Sequence, residues 1–251
     1  MPQPKDNRMK KSLLACFSLL LLLVCTPPAR GDSPVWKVAK GGAHLFIGGT
    51  VHVLNQDDYP LPGAFEKAYQ ASSIIVFEAD FRELQTPEFQ QALVEQARYP
   101  EGRDLTMFLT DGTRAHLVQF LDSRQLPMDN LVKFKAGMVS MTLTIVELQR
   151  LGLAGAGVDQ FFSQRAVNDR KEIGALETAQ EQLMFIATMG EGKEDELIAY
   201  TLRQIEDLPE MMQAMKAAWR AGDNAEMEAV ALRPMEKDFP VMTDRLSLIH
   251  I

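Results

Sequence analysis

Three side chains of this 251-residue chain stand where an α/β sheet gathers its chemistry. His52 ends the run Gly48-Gly49-Thr50-Val51-His52, and an imidazole there can ligate a metal or carry a proton near neutral pH. The glycines before it let the backbone turn tightly or approach a ligand that a Cβ would block. Glu78 follows the apolar run Ile74-Ile75-Val76-Phe77. Its carboxylate has to be paired, hydrated in a cleft or bound to a cation to escape a large desolvation cost. Glu177 closes Glu172-Ile173-Gly174-Ala175-Leu176 in the same way, with Thr178 and Gln182 beside it. Each also has a plain structural reading: His52 as a histidine satisfied at a strand end, Glu78 as half of an ion pair, Glu177 as a capping group of the next helix. His44, in a strand, and His116, beside Leu117 and Phe120 in a helix, read as structural or solvated. No serine-nucleophile elbow, phosphate loop, dinucleotide-binding glycine pattern or HExxH is present, which removes many enzyme classes.

The elements that must position these groups follow from periodicity and turn residues. Val35 to Lys40 and Ala43 to Ile47, separated by Gly41-Gly42, form a hairpin. Pro62 starts a short helix over residues 63 to 71. The unbroken β-branched run from Ile74 to Phe77 reads as a parallel strand buried on both faces. Helices follow over Pro87 to Arg98, over Asp111 to Arg124 with Asp111 as N-cap, and over Lys135 to Arg150, closed by Gly152. A helix over Val158 to Asn168 leads into the strand at Glu172 to Leu176, and Thr178 caps a helix running to Met189. Lys193 to about Leu232 is helical and acidic, with Met211, Met212, Met215 and Trp219 on an apolar stripe that reads as core or groove lining. Strands alternating with helices specify an α/β domain: a mainly parallel sheet with an N-terminal β-hairpin, a large helical insertion and C-terminal helices. Ligands gather at the carboxyl ends of such strands, so His52, Glu78 and Glu177 are expected at one edge.

Residues 1–31 read as a targeting signal. Lys5, Arg8, Lys10 and Lys11 precede an apolar run from Ser12 to Val24, too short for the ~20 residues that span a bilayer. Ala29-Arg30-Gly31 supplies a small-x-small cleavage pattern, leaving Asp32 first and placing the protein in the periplasm or outside the cell. Leu23 and Val24 stand before Cys25 where a lipobox needs small residues, which disfavours a lipoprotein. Cys16 and Cys25 are the two cysteines of the chain, so the mature part has no disulfide, thiol nucleophile or thiolate metal site. Removal of the signal takes away Lys5, Arg8, Lys10, Lys11, Arg30 and Asp6, leaving 21 basic and 33 acidic side chains and a net charge of −12. Such a surface repels nucleic acid and anionic membranes.

The ordered set of Trp36 in the hairpin, Gly49-Thr50-Val51-His52 and Phe77-Glu78-Ala79-Asp80 resembles the N-terminal part of TraB/GumN proteins. Gly157-Val158-Asp159-Gln160-Phe161-Phe162, Arg165-Ala166, Leu176-Glu177-Thr178 with Gln182-Leu183, and Ala218-Trp219-Arg220-Ala221-Gly222-Asp223 are similar to the later segments of that family. The resemblance spans residues 35 to 245 and extends to the Tiki proteases, erythromycin esterases and ChaN-like haem-binding lipoproteins. It implies two related halves, each giving a Gly-x-x-His element to a shared cleft that holds a divalent metal (zinc, manganese or cobalt) and hydrolyses peptide bonds. Carried over by motif, His52 is the first such histidine and Glu78 the following acid, both catalytic, with Glu177 as a further metal ligand. The rival expectation is a periplasmic haem- or peptide-binding protein without turnover, or an inactive fragment. The second Gly-x-x-His element is absent, and Leu246-Ser247-Leu248-Ile249-His250-Ile251 departs from the family pattern. The expectation is therefore a fragmentary or frameshifted reading frame with the final strands missing: an incomplete domain over 32–246 and an atypical tail at 247–251.

Overall fold

A computed structural model gives the fold of residues 33–239, so the expected signal and the tail at 247–251 lie outside the described residues. β1 (Val35–Lys40) and β2 (Ala43–Gly48) pair antiparallel, with Val35 opposite Gly48 and Lys40 opposite Ala43. Gly41 and Gly42 make the turn at φ of 57° and 87°, a region that side chains with a Cβ adopt at a cost. β3 (Val53–Leu54) comes next, then α1 (Gly63–Ala71), which starts after Pro62 and buries Phe65 and Tyr69. The chain then forms β4 (Ile74–Phe77).

A helical insertion follows: α2 (Phe81–Leu84), α3 (Pro87–Gln96), a 3-10 turn (Leu105–Phe108), α4 (Asp111–Ser123), α5 (Met128–Leu131) and α6 (Ala136–Arg150). The cap of α4 is Thr110, whose hydroxyl accepts from the Thr113 N–H, and not the expected Asp111. A hydroxyl one residue upstream reaches the third helical N–H, and Asp111 becomes the first residue of the helix. β5 (Gly155–Ala156) then pairs antiparallel with β3. After it come α7 (Val158–Asp169), β6 (Glu172–Ala175), α8 (Ala179–Thr188) and α9 (Glu194–Ala221). Thr178 caps α8 as expected, in a reciprocal box with Glu181. The helical stretch expected to run to Leu232 breaks at Gly222, which is left-handed at φ 61°. Asp223 caps α10 (Asn224–Ala231), and α11 (Arg233–Asp238) follows.

β4 and β6 form the parallel ladder, with Ile74 opposite Glu172 and Phe77 opposite Ala175. β4 is not buried on both faces. Ile75 and Phe77 turn into a core shared with Phe65, Tyr69, Val158, Phe162 and Trp219, whereas Ile74 and Val76 are 48% and 53% exposed. Alternation along a strand sends successive side chains to opposite faces, and among the described residues one face of this two-stranded ladder is left uncovered. A second core joins Leu117 and Leu121 of α4, Val139 and Leu143 of α6, and Leu197, Ile198 and Ile205 of α9. Met212, with Met211 and Met215 beside it, packs against Leu148 and Leu153. That apolar stripe is core.

Candidate active site

The segment from Gly49 to Asp58, which carries His52, is held from two sides by distant elements. On one side are the last turns of α9. The Trp219 indole N–H donates to the Gly49 carbonyl at 2.8 Å. Lys216 pairs with Asp58 at 2.9 Å, and the Arg220 guanidinium donates to the Asp58 carbonyl. On the other side is the start of α7. The Val158 N–H donates to the Val51 carbonyl at 3.0 Å, and the Tyr59 hydroxyl donates to the Ala156 carbonyl at 2.9 Å. Gly157, the N-cap of α7, contributes no side chain to capping, and it lies so close to the His52 peptide that a Cβ would overlap it.

That approach delivers Asp159, in the first turn of α7, to the imidazole: Asp159 Oδ2 lies 2.9 Å from His52 Nδ1. The carboxylate can only accept, so Nδ1–H donates, and in the neutral ring Nε2 carries the lone pair. Asp159 is 7% exposed, while the imidazole is 60% exposed. A sequestered acid thus backs a ring that meets solvent. The hydrogen bond to Asp159 raises His52 above its ordinary value of 6.5; partial burial pulls the other way, and the negative charges of Asp159 and Glu78 add to the rise.

Glu78 and Glu177 are neighbours by backbone. Past the last register pair of β4 and β6, the Leu176 N–H donates to the Phe77 carbonyl at 2.9 Å and the Glu177 N–H to the Glu78 carbonyl at 2.8 Å. The ladder therefore sets both acids at its carboxyl end. Glu78 lies near enough to act on the charge of His52. Glu177 is not among the groups that do; its carboxylate accepts from the Gln182 side chain at 3.1 Å, and capping of α8 falls to Thr178 and Glu181 instead. His44 makes an edge-on ring contact with Phe46 in the hairpin. Among the described residues no three His, Cys, Asp or Glu side chains are grouped to hold a metal ion. His52, Glu78 and Glu177 do not close into such a group, and a cation at His52 would need donors beyond these three.

Asp159 is the member of the site that local pattern reading does not assign. Its partner lies 107 positions away. The available signal was an acid directly after Gly157-Val158 at a helix start with no capping side chain, since an Asp there is free to serve a distant group. Replacing it tests the electrostatics. Asp159→Asn should lower the His52 pKa relative to wild type, read from the ring proton shifts in an NMR titration. An unchanged titration would contradict the pairing. Because the folded value is raised, the pair contributes stability that is complete below about 6.5 and is lost as pH rises through the folded value. The urea midpoint of wild type should therefore fall across that window, and that of Asp159→Asn should fall less.

Among the described residues no helix is long and apolar enough to cross a membrane. No curated protein and no solved structure matches the chain. The model of the TraB/PrgY/gumN family matches residues 34–247, most of the chain: the chain belongs to the TraB/PrgY/gumN family.

Proposed function

We propose that the chain carries the proton-handling part of a periplasmic hydrolytic site that acts on the carbonyl carbon of a peptide. The observation behind this reading is the 2.9 Å contact between a mostly exposed His52 and a buried Asp159. With Nδ1–H committed to Asp159, Nε2 is the atom left to take a proton from a water attacking the carbonyl. Asp159 then faces the imidazolium that forms, and the charge of Glu78 favours the same state. An imidazole is the side chain suited to take a proton near neutral pH, and the hydrogen bond to Asp159 favours the imidazolium it forms. The positively charged start, apolar run and small-x-small pattern of residues 1–31 support export. The divalent metal expected from the family resemblance enters no step, because the described residues supply no closed set of donors.

The test is hydrolysis of a pooled fluorogenic peptide library by the periplasmic protein, with zinc, manganese or cobalt added and again with EDTA. His52→Ala should reduce cleavage by about 10²–10⁴-fold, the range for loss of a general base. Asp159→Asn should reduce it less and move the acidic limb of the pH profile. Cleavage that survives His52→Ala would overturn the reading. Bound metal that disappears in His52→Ala would restore the cation to the site. N-terminal sequencing of the periplasmic form should begin at Asp32.

A further inference from the structure

In the helical insertion, away from the core that holds His52, a cavity of about 270 Å³ opens between the end of α3, the 3-10 turn, the start of α6 and the α8–α9 connection. Its charged and polar lining is Arg98, Tyr99, Arg103, Lys135, Glu191 and Glu194. The hydroxyl of Tyr99 is buried beside the Ala136 N–H at the start of α6, and its proton has no acceptor among the described residues. A buried hydroxyl proton left without an acceptor is unfavourable, so it asks for an occupant that can accept. Burial pushes this phenol up to about 12, and the charge of Glu194 adds to the rise. The group is a neutral donor at any physiological pH.

The wall around it is ordered before any ligand arrives. Phe108 stacks on Tyr99 with ring centres 5.1 Å apart, and the Arg103 guanidinium lies 5.0 Å from the centre of Phe108. Arg98 is seated 4.9 Å over Phe134. Arg98, Arg103 and Lys135 form no ion pair among the described residues. Lys135 is also the N-cap of α6 and offers no side-chain acceptor there, and Ala136, the first residue of that helix, lines the same space. Glu191 and Glu194 bring negative charge to the cavity, and both act on the Tyr99 hydroxyl. A dianion would be repelled by these glutamates and a dication by the three basic groups. A molecule carrying one charge of each sign meets neither penalty.

We propose that this cavity binds a small zwitterion, a free α-amino acid or a dipeptide, with its carboxylate on Tyr99 and Arg103 at the start of α6 and its ammonium on Glu191 and Glu194. The cavity, about 270 Å³, has room for a ligand of that size. The site is independent of the hydrolytic reading of His52.

Isothermal titration of the purified chain with L-alanine and with L-alanyl-L-alanine tests it, alongside N-acetyl-L-alanine, L-alaninamide and inorganic phosphate. At least one zwitterion should bind, and the blocked forms should bind about tenfold or more weakly, because each loses one charge contact. Whichever zwitterion binds tighter identifies the source. Arg103→Gln should weaken binding about tenfold, and Tyr99→Phe, which keeps the ring and its stack, about fivefold. His52→Ala should leave it unchanged. The absence of binding by both zwitterions would overturn the proposal. So would N-acetyl-L-alanine or phosphate binding as tightly as the zwitterions, or unaltered affinity in both variants with wild-type circular dichroism.

Discussion

Gly157→Ala is expected to lose about 3 kcal/mol or more of folding stability, beyond the usual cost of an added core methyl, and to separate Asp159 from His52. A Cβ at position 157 would stand 2.2 Å from the His52 carbonyl oxygen, 2.3 Å from its carbon and 2.4 Å from the Val51 oxygen. All three are backbone atoms. No flexible side chain can move aside, and the obstructed peptide is fixed by the Val158 N–H bond to Val51 and by the β3–β5 pairing. Gly157 has φ −75°, an ordinary value for alanine, so the penalty is steric and not conformational. The α7 start must retreat, carrying Asp159 with it, and His52 loses the contact that raises its pKa. Urea unfolding gives the first effect and the NMR titration of His52 the second. A variant with the wild-type midpoint and a wild-type His52 titration would show that the close approach is not required.

Much of the local structure is legible in the chain. Gly41-Gly42 between two extended runs leaves only a tight hairpin, Pro62 can start but not continue a helix, and Thr178 three residues before Glu181 writes a capping box. These signals act within a few residues, and the structure reproduces each of them. What escapes is set by partners far along the chain. The run Ile74 to Phe77 has the composition of a strand covered on both faces, yet its exposure depends on how many layers lie against it; Ile74 and Val76 meet solvent here. Glu147 sits at a helix position where an acid would usually be solvated, but it is 2% exposed and held by Arg124 at 2.9 Å and Arg150 at 2.7 Å. The break at Gly222 was open to reading, since glycine before an Asp N-cap ends one helix and starts another. Glu78 and Glu177 stand past the ends of β4 and β6, as their sequence places imply, whereas His52 lies between β2 and β3. Asp159 does not follow from its place in the sequence, because what assigns it is a contact between residues 107 apart.

The second large effect should come from Trp219→Ala, on the far side of the same segment. Trp219 is 1% exposed, lies 5.5 Å from the Phe65 ring centre, and gives its indole N–H to the Gly49 carbonyl. Truncation removes a large buried ring, which costs about 3–5 kcal/mol where the cavity cannot collapse. Collapse is hindered here, because Lys216 and Arg220 on either side of Trp219 tie the same helix to Asp58. The loss also leaves the Gly49 carbonyl without its donor, three residues before His52. Trp219→Phe separates the two contributions: it keeps most of the packing, removes the donor and should cost about 1–2 kcal/mol. Amide hydrogen exchange near Gly49 should accelerate in both variants and more in the alanine one, while Lys216 and Arg220 still hold the Asp58 end of the segment. If the alanine variant loses less than about 1 kcal/mol, or exchange there stays at the wild-type rate, the Trp219 bond to Gly49 does not help to position His52.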